Sequence, residues 1–274
     1  MFPTKLAALI ALAFPSQVLG HYTFPSLVVN GVTTPAWQNV RRTNNFNSRS
    51  PVQDVTSTDL RCYTSETGAG ATTMQIPAGS EVTFLTDENM YHQGVASIYM
   101  ARAPGSVDGW DGSGQVWFKV HEIPAVADGN TIEFPSTGLT GITFTVPKNL
   151  PSGEYLIRAE HIALHSASSF GGALPRAAQF YIGCAQVEVT NGGKLSNILL
   201  VGHEIHISFS YNRKRNSRRD ICSYRPTISL TSPPKGPLVS IPGVYTGNEP
   251  GILINIYYPI PTSYTQPGPA VWSG

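Results

Sequence analysis

Apolar and polar residues alternate in short runs over most of the chain, and turn signals separate the runs. Phe24 to Gly31 reads as a strand closed by an Asn-Gly turn. Thr72 to Ile76 and Glu81 to Thr86 flank the turn Pro77-Ala78-Gly79-Ser80. Further strands are expected at Val95–Ala101, Gln115–Val120 and Ile142–Val146. After Pro151-Ser152-Gly153 come Glu154–Glu160, then Gln179–Ile182 running into Cys184–Val189. Gly251 to Tyr257 is a last strand-like run, and Arg41 to Asp59 is expected to be a polar surface loop. No segment of helical length carries a competing period. Many short strands between turns predict an all-β protein built as a β-sandwich.

Two stretches depart from this pattern. Lys5 precedes the apolar run Leu6–Phe14, Pro15-Ser16-Gln17 break it, and Val18 and Gly20 stand at −3 and −1 of a cleavage site. The run is too short to cross a bilayer, so residues 1–20 are expected to be a signal peptide and the protein secreted. The other stretch is 194–235, with eight Lys or Arg against two acids. The rest of the mature chain is acidic, so the net charge of +1 hides two unlike pieces. A translated intron would explain the segment, since Gly193-Lys194-Leu195 can be encoded by GGTAAGTTG and Leu230-Thr231 by CTAAC; the rival is a real surface insertion, disordered or linked to a partner through Cys222. The remaining chain, 21–274, is expected to form a single domain.

Composition narrows the function classes. Charged residues make up 13% of the chain, with 26 Gly and 22 Pro, which suits an extracellular β protein with long loops. Outside 194–235 there is no basic field for nucleic acid, and no other stretch suits a membrane helix. Three cysteines would meet an oxidising compartment. Cys62 and Cys184 are candidates for a disulfide, and Cys222 is left over in the basic segment.

Cleavage after Gly20 makes His21 the first residue. Its α-amine and ring Nδ1 then form one chelate, a copper-binding geometry that no internal histidine supplies. His92, in Tyr91-His92-Gln93-Gly94, can add a third nitrogen, leaving positions for oxygen species. His161 and His165 have the i, i+4 spacing of a helical zinc pair, but lack its glutamate and follow a strand-like run. His165 could instead be a donor near the metal. Gln179 and Tyr181 share one face of their strand, opposite Phe180 and Ile182. Tyr181 is a candidate weak axial ligand and Gln179 a hydrogen-bond donor. His121, His203 and His206 have no evident partners. There is no nucleophile elbow and no pair of catalytic carboxylates, which disfavours a hydrolase.

Together these residues resemble the fungal lytic polysaccharide monooxygenases of auxiliary activity family nine, formerly classed as a glycoside hydrolase family. The resemblance rests on His21 after the signal, Tyr91-His92-Gln93-Gly94 leading to Ser97–Gly105, and Trp117-Phe118-Lys119-Val120. Leu150–Leu156, Glu160–His165, Gln179–Gln186 and Tyr258–Tyr264 complete it. It implies an immunoglobulin-like sandwich with a flat face bearing one copper. His21 and His92 would form a histidine brace, with Tyr181 axial. His165 and Gln179 would position the oxygen species, Tyr264 would stack on a glucose ring, and Cys62 and Cys184 would be the family disulfide. The implied reaction is oxidative cleavage of β-1,4-glucan, mainly cellulose, by a secreted monomer with an external electron donor and O2 or H2O2. Three departures stand out: Val95 where the family usually has proline, a longer Ala173–Ala178 connection, and the whole of 194–235. The alternatives are a non-catalytic copper-binding sandwich and a carbohydrate-binding protein without chemistry.

Overall fold

A computed structural model describes residues 20–68, 70–168, 177–193 and 237–272. The expected signal sequence up to residue 19, the basic segment with Cys222, His203 and His206, and residues 173–176 of the long connection lie outside that set.

The described residues form two packed β-sheets with long loops, a β-sandwich. The smaller sheet holds β1 (Ser26–Val29), β2 (Val32–Thr33), β4 (Glu81–Leu85) and β9 (Gly141–Thr145) in the order β2-β1-β4-β9. The larger adds β3 (Met74–Pro77), β5 (Gly94–Arg102), β6 (Gln115–Ile123), β10 (Gly153–Ala163), β11 (Gln179–Thr190) and β12 (Val239–Ser240) in the order β12-β6-β5-β10-β11-β3. Its pairs are antiparallel except β3 beside β11. A small hairpin, β7 (Val126–Ala127) with β8 (Ile132–Glu133), stands apart. The Asn30-Gly31 turn between β1 and β2 is as expected, both residues taking positive φ.

The larger sheet is covered on both faces. Along β10, Tyr155, Ile157, Ala159, His161 and Ala163 face the smaller sheet, where Phe24, Val82, Phe84, Ile142 and Phe144 complete the core. The alternate residues Leu156, Ile162 and Leu164 enter a second cluster with Leu60, Trp117, Phe180, Tyr245, Ile252 and Ile256. Loops supply most of that second cover, which is why the strands of this sheet are apolar on both sides.

Within the second cover lies a polar network. Arg158 pairs with Glu160 at 2.6 Å, both fully buried. Glu160 also accepts from Tyr245 at 2.6 Å, and Tyr245 in turn meets Tyr99 at 2.8 Å. Arg158 donates to the carbonyls of Leu60 and Arg61 at 2.8 Å each. A buried ion pair survives only with such added hydrogen bonds. Here it ties both the C-terminal segment and the single turn α1 (Asp59–Cys62) to β10.

Two expectations need correcting. Gly251 to Tyr257 forms turns instead of a strand; it places Ile252 and Ile256 in the second cluster without pairing to a sheet edge. The polar loop after Arg41 ends in α1, and Arg41 itself is buried, bound to Gln186 and the Val107 carbonyl. As the strand-like run before them implied, His161 and His165 are not on a helix: His161 is on β10, and His165 follows its end. The disulfide Cys62–Cys184 is present and joins α1 to β11.

Candidate metal centre

Four chain segments bring the candidate residues to one end of the sandwich. His21 precedes β1, and His92 precedes β5. His165 follows the end of β10, where the backbone of Leu164 donates to the Gln93 carbonyl. Gln179 and Tyr181 open β11, directly opposite Ala163 and His161 in the register.

The rings of His21 and His92 lie 5.6 Å apart, centroid to centroid, and nearly perpendicular at 70°. Tyr181 is 6.0 Å from each of them. His92 and His165 stack at 3.9 Å and 14°. The Tyr181 hydroxyl donates to Gln179 Oε1 at 2.9 Å. His92 Nε2 and His165 Nδ1 are buried and have no hydrogen-bond partner among the described residues.

Burial disfavours charge on His92, His165 and Tyr181. Burial, with the adjacent His165 and His21, lowers the His92 pKa to about 4, although the Gly20 carbonyl works the other way. Burial and then His21 lower that of His165. Burial raises the Tyr181 phenol, so it stays protonated.

These residues fit a small metal ion bound by nitrogen. With metal–nitrogen bonds of about 2.0 Å, two imidazoles on one ion have centroids roughly 6 Å apart. An imidazole nitrogen left bare in the interior is costly unless something binds it. Among the described residues no three His, Cys, Asp or Glu side chains gather for a metal. Cleavage before His21 would add an α-amine to the ring nitrogens of His21 and His92.

Tyr264 stands outside this cluster. It is half-buried against the second apolar cover, and its hydroxyl donates to the Gly251 carbonyl at 2.7 Å. Other tyrosines near the centre escaped the sequence reading. Tyr91 is 68% exposed and meets the edge of His92 at 5.8 Å. Tyr257 is exposed and donates to the His165 carbonyl at 3.0 Å, with exposed Tyr258 beside it. Tyr22 is buried and stacks on Tyr181 at 4.2 Å and 24°. Tyr22 lies ahead of β1, where no alternation marks it, and exposure of loop tyrosines leaves no sequence signal.

Comparison with known proteins gives consistent matches. Residues 21–216 match the family described as Auxiliary Activity family 9 (formerly GH61). AA9 family lytic polysaccharide monooxygenase H of Malbranchea cinnamomea is 44% identical over 273 residues, covering 99% of each chain. AA9 family lytic polysaccharide monooxygenase C of Emericella nidulans is 40% identical, covering 100% of this chain and 98% of its own. Among solved structures, a cellulose-active polysaccharide monooxygenase from M. thermophila aligns with a TM-score of 0.66 at 26% identity, over 93% of this chain and 100% of its own.

Proposed function

The chain belongs to Auxiliary Activity family 9, the lytic polysaccharide monooxygenases, and from that premise we propose that it is a secreted copper enzyme cleaving β-1,4-glucan, chiefly cellulose. One copper would be held by the His21 α-amine, the His21 ring and His92. The observation that carries this reading is the bare, buried Nε2 of His92 beside the His21 ring. The family match starting at His21 supports removal of residues 1–20. A similar structure described as cellulose-active supports the substrate. The 194–235 segment remains proposed as a translated intron; transcript sequencing that retains those codons would sink the idea.

Bound copper would supply one-electron chemistry, taking the electron of an external reductant and passing it to O2 or H2O2. The chain's residues shape where that happens. His92 is neutral at working pH, so its nitrogen is free to bind. Tyr181 stays a neutral phenol and donates to Gln179, so it can offer the metal only a weak oxygen ligand. His165, stacked on His92, and Gln179, beside Tyr181, are placed to orient the oxygen co-substrate. Tyr91, Tyr257 and Tyr258 expose ring faces around the centre and would stack on sugar rings, with Tyr264 assigned the same role by the family resemblance.

The processed, copper-loaded protein with ascorbate and cellulose should release aldonic acids or C4-ketoaldoses, seen by mass spectrometry. Native oligosaccharides alone, or none, would refute the reaction. His92→Ala removes one of three proposed nitrogens and should weaken copper binding by about 100-fold or more in calorimetric titration. An unchanged affinity would exclude His92 from the centre.

A further inference from the structure

His161 is fully buried on the face of β10 that meets the smaller sheet, and the proposed chemistry gives it no task. One ring nitrogen meets the His21 segment directly, and the other reaches the His92 segment through Ser136. The Tyr22 hydroxyl lies 2.5 Å from Nδ1, one residue beyond His21. Ser136 Oγ lies 3.3 Å from Nε2, and the same hydroxyl donates to the Gly94 carbonyl at 2.7 Å, two residues beyond His92.

The hydrogen bonds fix the tautomer. Ser136 spends its proton on Gly94, so towards His161 it can only accept, and Nε2 carries the ring proton. Nδ1 is then an acceptor, and Tyr22 donates to it. The Tyr22 ring so held stacks on Tyr181. On the other arm, a Cβ at Gly94 would lie 2.7 Å from His161 Cε1 and 2.3 Å from the Ile162 carbonyl oxygen. Only glycine lets the His92 segment settle onto this histidine.

We propose that His161 is a positioning residue: as the Nε2–H tautomer it joins the His21 and His92 segments, and through the stacked Tyr22 ring it sets the attitude of Tyr181 beside the metal centre. The consequence for the metal rests on the copper reading above; the hydrogen-bond arrangement does not. An apolar replacement leaves the Tyr22 hydroxyl and the Ser136 oxygen short of partners in the core, and the rings above them lose their fixed support.

Two measurements test this. In the metal-free protein, 15N NMR should show His161 protonated at Nε2 and bare at Nδ1; the opposite tautomer overturns the proposal. In the copper-loaded protein, His161→Leu should shift the Cu(II) hyperfine pattern in electron paramagnetic resonance. It should also weaken copper binding by about tenfold, the lower end for residues that support metal ligands. His161→Gln keeps an acceptor and a donor in one side chain and should restore most of both. A folded Leu variant identical to the parent would overturn the proposal, as would a Gln variant as altered as the Leu one, since that would mean a packing effect alone. Should the Leu variant not fold, Tyr22→Phe removes only the hydroxyl and should still shift the hyperfine pattern; an unshifted pattern overturns the proposal. A parent that binds no copper would defeat the copper reading instead, and the tautomer would still decide the role of His161.

Discussion

Adding a single residue in front of His21 is expected to abolish oxidative release of sugars and to weaken copper binding by on the order of 10²–10⁴-fold. The extension turns the α-amine into an amide, whose nitrogen no longer offers a free lone pair. The ring of His21 then binds alone, and the gain from having two donors on one residue is lost. Gly20 is well placed to show why: its carbonyl lies against His92 in the uncleaved chain, where the processed protein would have a free terminus. A pH series separates this cause from misfolding. An α-amine titrates at about 8, so in the processed protein protons compete for it increasingly as pH falls, by up to about tenfold per unit. His92 adds no such competition until about pH 4. The extended chain should lose the amine's share of this pH dependence while keeping its thermal unfolding. Equal copper affinity in the two forms would remove the amine from the centre.

The strands were readable because alternation reports burial directly. Gln179 and Tyr181 were placed on one face of β11 from their spacing alone, and the structure puts Tyr181 towards the smaller sheet and Phe180 and Ile182 towards the second cover. The reading fails where loops, not strands, bury apolar residues. Ile252 and Ile256 are apolar because they seal the outer face of the larger sheet, so a strand-like run appears where no strand edge is offered. The strand β10 runs three residues past its expected end, through His161 to Ala163, because both its faces are covered there. The i, i+4 spacing of His161 and His165 is therefore a spacing along and beyond a strand, as the run before them suggested. Buried Arg41, Arg158 and Glu160 gave no warning either: apart from the Arg158–Glu160 pair, their partners are backbone carbonyls and side chains distant in sequence.

The site shows the same division. His21 and His92 were legible because each sits beside a local signal, a cleavage site and a strand start. What brings them together was not legible. β10 and β11 pair along eleven register positions, and the far end of that pairing carries His161 against Tyr181. The ladder sets Tyr181 and Gln179 beneath the N-terminal segment, and stacking of Tyr22 on Tyr181 closes the arrangement. Sequence patterns name the candidate donors; long-range register decides whether they meet.

Removing the disulfide should separate stability from chemistry. Cys62 and Cys184 lie 122 residues apart, so the bond limits an unusually large loop in the unfolded chain. Replacing both by alanine is expected to cost about 4–5 kcal/mol by chain entropy and to lower the melting temperature by about 10–20 °C. Copper binding well below that temperature should change by no more than about threefold, within about 0.7 kcal/mol. Cys184 is three residues from Tyr181, about 10 Å along β11, and points into the other face of the sheet. The Arg158 bonds to Leu60 and Arg61 also remain to hold α1 in place. The check is thermal unfolding and copper titration on the same double variant. A matching collapse of copper affinity in a folded variant would show that the second cover carries tension to the metal centre. Loss of stability alone would show that β11 is held in register by its own ladder, and that the disulfide serves stability.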